Sequence, residues 1–378
     1  MSKKFIISIA TLIAIGVIAA IAIFLAKGYT FSPKEKRIVG TGIITITSEP
    51  DAASVFIDGH LTTATNATVS SLSPKNYSVR IVKEGFISWE KQVSVKEGLV
   101  TAVKVTLFPA IPTIYPLTFN GVENPTLSPD GSKLAYIVPL STSAGIANKK
   151  AGVWVWTQTR NQPISFARSS EPHQIVQSTS IDFSKAALRW SADSKQVLAT
   201  AGDNNYLLES DRLNSDPRDI TPLLQATLKS WEEDTRLKNE VRVLAIKNTT
   251  FRQIASSAAI VRWSPDETKF MAGKTEADLK VYNLEDKQSL RSGDLRTEYS
   301  LPTARAHIWL PNSMHVILIE EGIISIVDFD GTNKAVIYAG SFQDDFVFPW
   351  LDSSRLVIIS SFPTPTASEP NLFGVNLK

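Results

Sequence analysis

The chain has 378 residues, of which 43% are hydrophobic and 20% charged, and this composition indicates globular domains rather than a disordered or collagen-like chain. It contains no cysteine, which excludes disulfides, thiolate metal sites and a cysteine nucleophile. The formal net charge of +2 arises at the N-terminus, because residues 1–39 hold six basic residues and one acidic residue, whereas residues 109–378 hold 27 basic and 30 acidic residues.

An uncharged apolar run extends from Phe5 to Ala26, directly after two lysines. Such a run satisfies its backbone hydrogen bonds as a helix and can cross about 30 Å of hydrocarbon. Residues 1–27 are therefore predicted to form a cytoplasmic tip and an uncleaved transmembrane helix. A cleavable signal peptide is the alternative, because Ala20-Ile21-Ala22 is a small-x-small site, although the apolar region of a signal peptide is usually only about 7–15 residues long.

The orientation of this segment follows from the charges beside it. Lys3 and Lys4 favour an N-terminus inside the cell, while the basic residues after the run favour the reverse. We expect the bulk of the chain to lie outside, because a short N-terminal tail and a single span are typical of an exported signal anchor.

Residues 28–40 are polar and are predicted to be a linker. Residues 41–108 then form short alternating runs separated by Asp-Gly and Glu-Gly turns, a pattern that predicts a small β-sandwich. The residues predicted to face its core alternate along these runs: Ile44, Ile46, Val55, Ile57, Val79, Ile81, Val93, Val95, Val103 and Val105.

The stretches TSEPDAASVFIDGHLTTAT (47–65) and LSPKNYSVRIVKEGFISWEKQVSV (72–95) resemble the PEGA domain. Pro50-Asp51-Ala52-Ala53 takes the place of the Pro-x-Gly-Ala corner of that family, with Ala52 where the motif has glycine. The resemblance covers about residues 41–108 and implies a β-rich interaction or spacer module of extracytoplasmic proteins.

Two residues of this module are candidates for binding. Asp58 precedes Gly59 and is either a ligand or, as we expect, part of a two-residue hairpin turn. Trp89 is either an exposed stacking group for a sugar or partner or, as we expect, a core or edge aromatic residue.

The remainder of the chain repeats one pattern five times: a short strand, a turn with Asp or Asn, and an apolar strand. The copies are NPTLSPDGSKLAYI (124–137), ALRWSADSKQVLAT (187–200), IVRWSPDETKFMAG (260–273), AHIWLPNSMHVILI (306–319) and FVFPWLDSSRLVII (346–359). The polar turn residue can cap its own backbone, so folding alone explains the pattern. Further strands follow each copy, which predicts a five- or six-bladed β-propeller over residues 109–378.

These units resemble the Pro-Asp repeats of TolB-like propellers, most clearly at Trp263-Ser264-Pro265-Asp266 and Ser128-Pro129-Asp130-Gly131. Since a ring must join its ends, Tyr115–Thr118 is predicted to pair beside Leu372–Leu377. Within the third unit, Trp263 is predicted to pack between blades, and Glu267 and Lys269 to face water.

Residues 222–247 interrupt the repeat, and their apolar residues recur near helical spacing. They are predicted to form a helix inserted at a blade edge, which either packs on the ring or offers a partner surface.

The residues capable of metal binding or catalysis are scattered along the sequence. DFDGTN (328–333) supplies Asp328, Asp330 and Asn333 as oxygen donors but lacks the later acidic ligand of a calcium loop, so a hairpin turn is expected. The histidines lack a paired spacing for zinc, and they are His60, His173, His307 and His315. No catalytic, cofactor or metal residue is therefore predicted.

The acidic doublets Glu320-Glu321 and Asp344-Asp345 are the remaining candidates for acid–base chemistry. Paired carboxylates flank the sugar in glycosidases, but solvated loop charges are the simpler interpretation. The soluble part also lacks the basic surface of a nucleic-acid-binding protein.

Together these patterns predict an all-β protein behind a transmembrane helix: a small sandwich and then a propeller with one helical insertion. The expected function is a membrane-anchored, extracytoplasmic scaffold that binds an envelope protein or polysaccharide without a cofactor. The alternatives are a glycan- or peptide-cleaving hydrolase with scattered carboxylates, and a sensor, for which the few cytoplasmic residues leave little room.

Overall fold

The computed structural model describes residues 3–26, 29–32, 37–141, 148–158, 171–285, 297–343, 345–361 and 369–378. By its internal contacts the chain divides into two compact units. The first contains Met1–Ala110, and the second is built from Ile111–Leu284 and Thr297–Lys378.

The N-terminal apolar run forms helix α1 (Lys3–Ala26), where the sequence predicts a helix. Among the residues that the structure describes, no helix is both long and apolar enough to span a membrane. The segment expected to be a plain linker contains a hairpin instead, in which β1 (Tyr29–Ser32) pairs with β2 (Arg37–Gly40). Both strands contain β-branched or aromatic residues, which favour pairing over an extended tether.

The β-sandwich of the first unit has two sheets. Their strands are β3 (Gly42–Glu49), β4 (Ser54–Ile57), β5 (His60–Ala64), β6 (Ala67–Leu72), β7 (Asn76–Val82), β8 (Trp89–Ser94) and β9 (Val100–Thr106). One sheet has the order β6-β3-β9, with β3 and β9 parallel, and the other has the order β5-β4-β7-β8. All ten residues predicted to face inward lie in one buried cluster between the sheets, so the alternation identifies the core correctly.

The second unit contains five sheets of four strands. Blades 1 to 4 each use four consecutive strands, and we number them in chain order. Blade 1 comprises β11 (Glu123–Leu127), β12 (Lys133–Val138), β13 (Gly152–Thr157) and β14 (His173–Gln177), and blade 2 comprises β15 (Ala187–Trp190), β16 (Gln196–Ala201), β17 (Asn204–Glu209) and β18 (Arg218–Asp219). Blade 3 comprises β19 (Ile260–Trp263), β20 (Lys269–Gly273), β21 (Lys280–Asn283) and β22 (Glu298–Ser300), and blade 4 comprises β23 (Ala306–Trp309), β24 (His315–Glu320), β25 (Ile323–Asp328) and β26 (Ala335–Ala339).

Blade 5 is assembled from both ends of the unit. It contains β27 (Val347–Pro349), β28 (Arg355–Ser360) and β29 (Asn371–Asn376), and its fourth strand is β10 (Ile114–Pro116). Tyr115 pairs with Gly374 and Pro116 with Phe373. The predicted closure is confirmed, although the paired segment begins one residue earlier and is shorter than expected. The described residues form five blades, which decides between five and six for this part of the chain.

The repeated turns share one set of hydrogen bonds. In blade 3, Ser264 Oγ donates to Asp266 Oδ1 at 2.7 Å, and Thr268 N donates to the same carboxylate at 3.0 Å. Blades 1 and 2 repeat this arrangement around Asp130 and Asp193. The expectation that the polar residue caps its own turn is therefore confirmed.

Side chains pack between neighbouring blades. One buried cluster joins blades 1 and 2, a second joins blades 1 and 5, and a third joins blades 3 and 4. Hydrogen bonds accompany this packing, because Trp190 Nε1 donates to Thr126 O at 3.0 Å and Trp309 Nε1 donates to Arg262 O at 2.9 Å.

Two helices lie between blades 2 and 3. The predicted insertion forms α2 (Leu224–Ala245) after a single 3-10 turn, and α3 (Thr249–Ser257) follows it. Trp231 of α2 packs on Leu198 of blade 2, and Phe251 of α3 packs on Phe270 of blade 3. The insertion packs on blades 2 and 3 and follows directly after β18, the edge strand of blade 2.

Candidate binding face

The loops of the propeller lie on two opposite faces. Since the strands of a blade are antiparallel, the loop before its first strand and the turn between its second and third strands lie at the same end. We call this end the upper face, and the end with the Asp-containing turns the lower face. The upper-face loops of neighbouring blades touch, as when Leu140 N donates to Ser184 Oγ at 2.9 Å.

Arg305 joins two acidic loops on the upper face. Its Nη2 lies 3.1 Å from Glu321 Oε2, and its Nη1 lies 3.8 Å from Asp345 Oδ2. Glu321 is in the turn between β24 and β25, and Asp345 precedes β27, so these ion pairs connect blades 4 and 5. The Glu321 side chain is 87% exposed, and ion pairs this exposed to water contribute little stability. Their charges are therefore accessible to a ligand.

This arrangement brings together one residue of each acidic doublet. Glu320, the neighbour of Glu321, turns away and pairs with Lys334 at 2.8 Å, while Asp344 lies outside the described residues. In a glycosidase the two carboxyl groups face each other across the substrate. Here Glu321 and Asp345 both face the guanidinium group of Arg305. We call these three residues the Arg305 clamp, and they form a set of ion pairs rather than an acid–base pair.

A second charged cluster lies at the upper end of the junction between blades 3 and 4. Arg262, on the first strand of blade 3, makes a two-pronged ion pair with Glu276, which lies in a 3-10 turn after β20. Glu276 Oε2 is also 3.0 Å from His307 Nδ1, on the first strand of blade 4. Burial alone raises the pKa of Glu276, but the hydrogen bonds from Arg262 and His307 outweigh it and hold that pKa below its ordinary value.

The histidines do not converge. His307 contacts Glu276 and Pro302 O, His315 contacts Asn312 and Asp328, and His173 contacts Ser210 O. His60 is exposed in the sandwich. Within the described parts of the chain, no group of three His, Asp or Glu side chains is placed to hold a metal ion.

The DFDGTN segment is a hairpin between β25 and β26. Thr332 donates to Asp330 Oδ1 through both its backbone N and its hydroxyl, at 3.2 and 2.6 Å. Asn333 Nδ2 donates to Asp328 Oδ2 at 3.0 Å. The oxygens that a calcium ion would need therefore accept hydrogen bonds from the segment itself, as expected for a turn.

The candidates in the sandwich are structural as well. Asp58 has φ +48° and Gly59 φ +82°, the left-handed pair that a two-residue hairpin requires. The hydrogen bond from Lys75 is the main reason that the pKa of the Asp58 carboxyl is lowered, and a hydrogen bond from the Ser78 backbone N–H adds to the effect. Trp89 is 8% exposed and lies in the core of the sandwich, which rules it out as an exposed stacking group.

Lys269 departs from the prediction. Glu267 is exposed and pairs with Arg242 at 2.8 Å, but Lys269 is only 3% exposed. Its Nζ donates a hydrogen bond to Thr268 Oγ1 at 2.9 Å and lies 5.2 Å from the centre of the Phe329 ring in blade 4. The charged end of Lys269 therefore contacts protein rather than facing water. The sequence pattern did not predict this burial, because lysine is counted as a polar residue. Its stem is nevertheless apolar and packs between blades.

The cluster of Arg262, Glu276 and His307 was missed by the sequence analysis. Its members come from three separate segments, and none belongs to a recognisable motif. The only signal is that Arg262 and His307 occupy first strands, where most neighbouring positions are apolar.

The sandwich resembles a known protein family. Residues 41–111 match the family model of the PEGA domain. The resemblance predicted from the sequence is confirmed for this module. The PEGA domain accounts for less than half of the chain, and no curated protein matches the chain.

Solved structures similar to the chain include several propeller proteins. The CNH domain of AfRom2 is 8% identical, with 70% of this chain and 100% of that one covered and a TM-score of 0.33. An oligogalacturonate lyase in complex with manganese is 12% identical, with 80% and 74% covered and a TM-score of 0.23. A TolB-like protein of Agrobacterium tumefaciens is 16% identical, with 70% and 89% covered and a TM-score of 0.23. At this level of similarity, these structures carry no argument about the activity of this chain.

Proposed function

We propose that the protein is a membrane-anchored scaffold that displays its PEGA domain and propeller outside the cell and binds an envelope protein or polysaccharide through the upper face of the propeller. The observation that carries this proposal is the Arg305 clamp, in which Glu321, Arg305 and Asp345 present both charge signs on loops of a closed ring. Rigid elements that present polar loops are suited to recognition.

The anchor is proposed from the N-terminal segment. Phe5 to Ala26 carries no charge, and Lys3 and Lys4 precede it. Insertion with the N-terminus inside places the apolar run in the hydrocarbon and both lysines on the cytoplasmic side. The PEGA match supports an extracytoplasmic position only by analogy with other members of that family.

A hydrolase is the competing function, because the carboxylates of Glu321 and Asp345 lie on neighbouring loops of the upper face. The geometry favours binding over cleavage. In a glycosidase the two carboxyl groups flank the substrate, whereas Glu321 and Asp345 both face the guanidinium group of Arg305.

The absence of cysteine from the chain allows a direct test of topology. A Glu321→Cys variant should react with a membrane-impermeant maleimide in intact cells, and a Ser2→Cys variant only after lysis. Reaction in the opposite order would overturn the proposed orientation. A control for the anchor replaces Ile13 and Ile18 by arginine, which should release the protein from the membrane fraction, while leucine at both positions should not.

The binding face is tested by photo-crosslinking in intact cells. A photoreactive residue at Glu321 on the upper face should give a discrete adduct. The matched position is Met314, which is 40% exposed in the lower-face turn of the same blade and should give none. Equal adducts from both positions, or adducts from Met314 alone, would contradict binding through the upper face.

A further inference from the structure

The two helices between blades 2 and 3 fill the space in which these blades would otherwise meet. On blade 2, Val197 and Ala199 pack toward blade 1, whereas Leu198, on the opposite side of the same strand, packs on α2. On blade 3, Met271 packs toward blade 4, whereas Phe270 shares a cluster with α3 and the C-terminal end of α2. The facing sides of blades 2 and 3 are therefore each buried against helices.

The turn contact that joins other neighbouring blades is replaced at this junction. Asp130 N donates to Ser194 Oγ at 3.3 Å between blades 1 and 2, and the equivalent bond between blades 3 and 4 ends on Ser313 Oγ at 3.1 Å. In blade 3, Glu267 stands where blades 2 and 4 have these serines, and it pairs with Arg242 of α2. This turn therefore contacts the helix where the other turns contact the preceding blade.

Helix α2 is anchored near its two ends and exposed between them. Leu228 and Trp231 pack on blade 2, and Val243 packs in the cluster of blade 3. The ten residues 232–241 lie between these anchors, and every one of them is exposed. We call residues 232–241 the exposed span. It connects the two blades without a buried side chain of its own.

The exposed span is held to blade 2 by polar contacts. Glu232 Oε1 lies 3.7 Å from Arg189 Nη2, and Lys238 Nζ donates to Ala192 O at 2.7 Å. The side chains of Arg189 and Glu232 are 52% and 68% exposed, and ion pairs this exposed to water contribute little stability.

The helical form of the exposed span depends on contacts within the helix. Arg236 lies 2.6 Å from Glu233 and 3.3 Å from Glu240, three and four residues away along the chain. Such pairs stabilise an exposed helix by only a few tenths of a kcal/mol each. A helical segment without a buried face is the type of segment that opens locally at low cost.

We propose that the exposed span is the hinge of the propeller ring, and that blades 2 and 3 shift relative to each other when residues 232–241 open locally. At junctions that share a buried cluster, a shift would separate packed apolar side chains and expose them to water. At the junction of blades 2 and 3, each blade keeps its own cluster with the helices, and the contacts that break are exposed and polar. This hinge is independent of the ligand that the upper face binds.

The first test measures local opening by amide hydrogen exchange of the full chain in detergent. Asn239 is exposed within the span, and glycine is less favourable than alanine in a helix. Exchange of residues 232–241 should be about fivefold faster in Asn239→Gly than in Asn239→Ala, with equal exchange of β12 and β24 in both variants. Equal exchange of the span in both variants, or an equal rise in β12 and β24, would overturn the hinge.

The second test measures the distance between blades, which the absence of cysteine from the chain makes possible by paired spin labels. Asp203, Ala277 and Glu321 are exposed and occupy the turns between the second and third strands of blades 2, 3 and 4. Electron paramagnetic resonance should give a broader distance distribution for Asp203→Cys with Ala277→Cys than for Ala277→Cys with Glu321→Cys. Asn239→Gly should broaden the first distribution and leave the second unchanged.

The outcomes of the distance measurement are distinct. Equally narrow distributions for the two pairs would overturn the hinge between blades 2 and 3. A broad distribution for the first pair that Asn239→Gly leaves unchanged would overturn its location in the exposed span.

Discussion

Tyr115 and Gly374 are paired across the closure of the ring, and the tyrosine ring occupies the space above the glycine. A Cβ atom built on Gly374 would lie 2.7 Å from Tyr115 Cζ and 2.9 Å from its hydroxyl oxygen. The two ends of the second unit therefore meet at a position that accepts only glycine without a shift of the tyrosine.

Gly374→Ala is expected to destabilise the propeller by about 1–3 kcal/mol, because the added methyl group overlaps the ring of Tyr115. Urea unfolding measures this loss. The double variant with Tyr115→Ala removes the overlap, so the cost of Gly374→Ala should be smaller in that background. An equal cost in both backgrounds would show that the two residues do not meet as described.

Removal of residues 371–378 should abolish the propeller transition in calorimetry. The deletion takes away β29, the strand that pairs with both β28 and β10, so blade 5 loses its centre. The transition of the PEGA domain, which lies in the other unit, should remain. A truncated chain that retains the propeller transition would refute closure by β10.

The repeated turns predict acid sensitivity. Burial raises the pKa of Asp266, but hydrogen bonds from Ser264 and Thr268 outweigh it and hold the pKa below its ordinary value of 3.8; the same balance applies to Asp130. A lowered carboxyl pKa stabilises the fold above about pH 4, and this stability is lost as the pH falls further.

Asp266→Asn should therefore show a weaker dependence of stability on pH below about pH 4 than the natural protein. Acid unfolding followed by fluorescence measures it. The matched control is Asp203→Asn, in the exposed turn between β16 and β17, which should follow the natural curve. Parallel curves for Asp266→Asn and the natural protein would exclude the carboxylate of the turn as an acid-labile contact.

Ala52→Gly is expected to stabilise the PEGA domain by up to about 1 kcal/mol. Ala52 has φ +53°, a left-handed conformation that costs a residue with a Cβ about 1–2 kcal/mol, and glycine loses part of that gain through its greater freedom when unfolded. Ala53→Gly is the control, because Ala53 is fully buried and its replacement should destabilise. Thermal unfolding of the PEGA transition should separate the two variants.

The sequence predicts those parts of this fold that depend on local patterns. Alternation places Ile44 and Val55 in the core of the sandwich, and the repeated turns place Asp130 and Asp266. Closure of the ring is also predictable, because a sheet with a missing strand needs one from elsewhere.

The charged clusters could not be predicted in the same way. Arg262, Glu276 and His307 are brought together by packing between blades, and no local pattern encodes which side of a strand faces the next blade. Lys269 illustrates the same limit, since its burial depends on Phe329 in another blade.

Binding and cleavage are distinguished by what happens to the partner that crosslinks through position 321. The purified partner is incubated with the full-length protein and its mass is compared before and after, with an Arg305→Ala variant as the control for binding through the clamp. If the protein is a scaffold, the mass of the partner stays unchanged, and the Arg305→Ala variant binds less of the partner than the natural protein does. A partner that is cleaved by the natural protein would contradict the proposed function and establish the hydrolase instead.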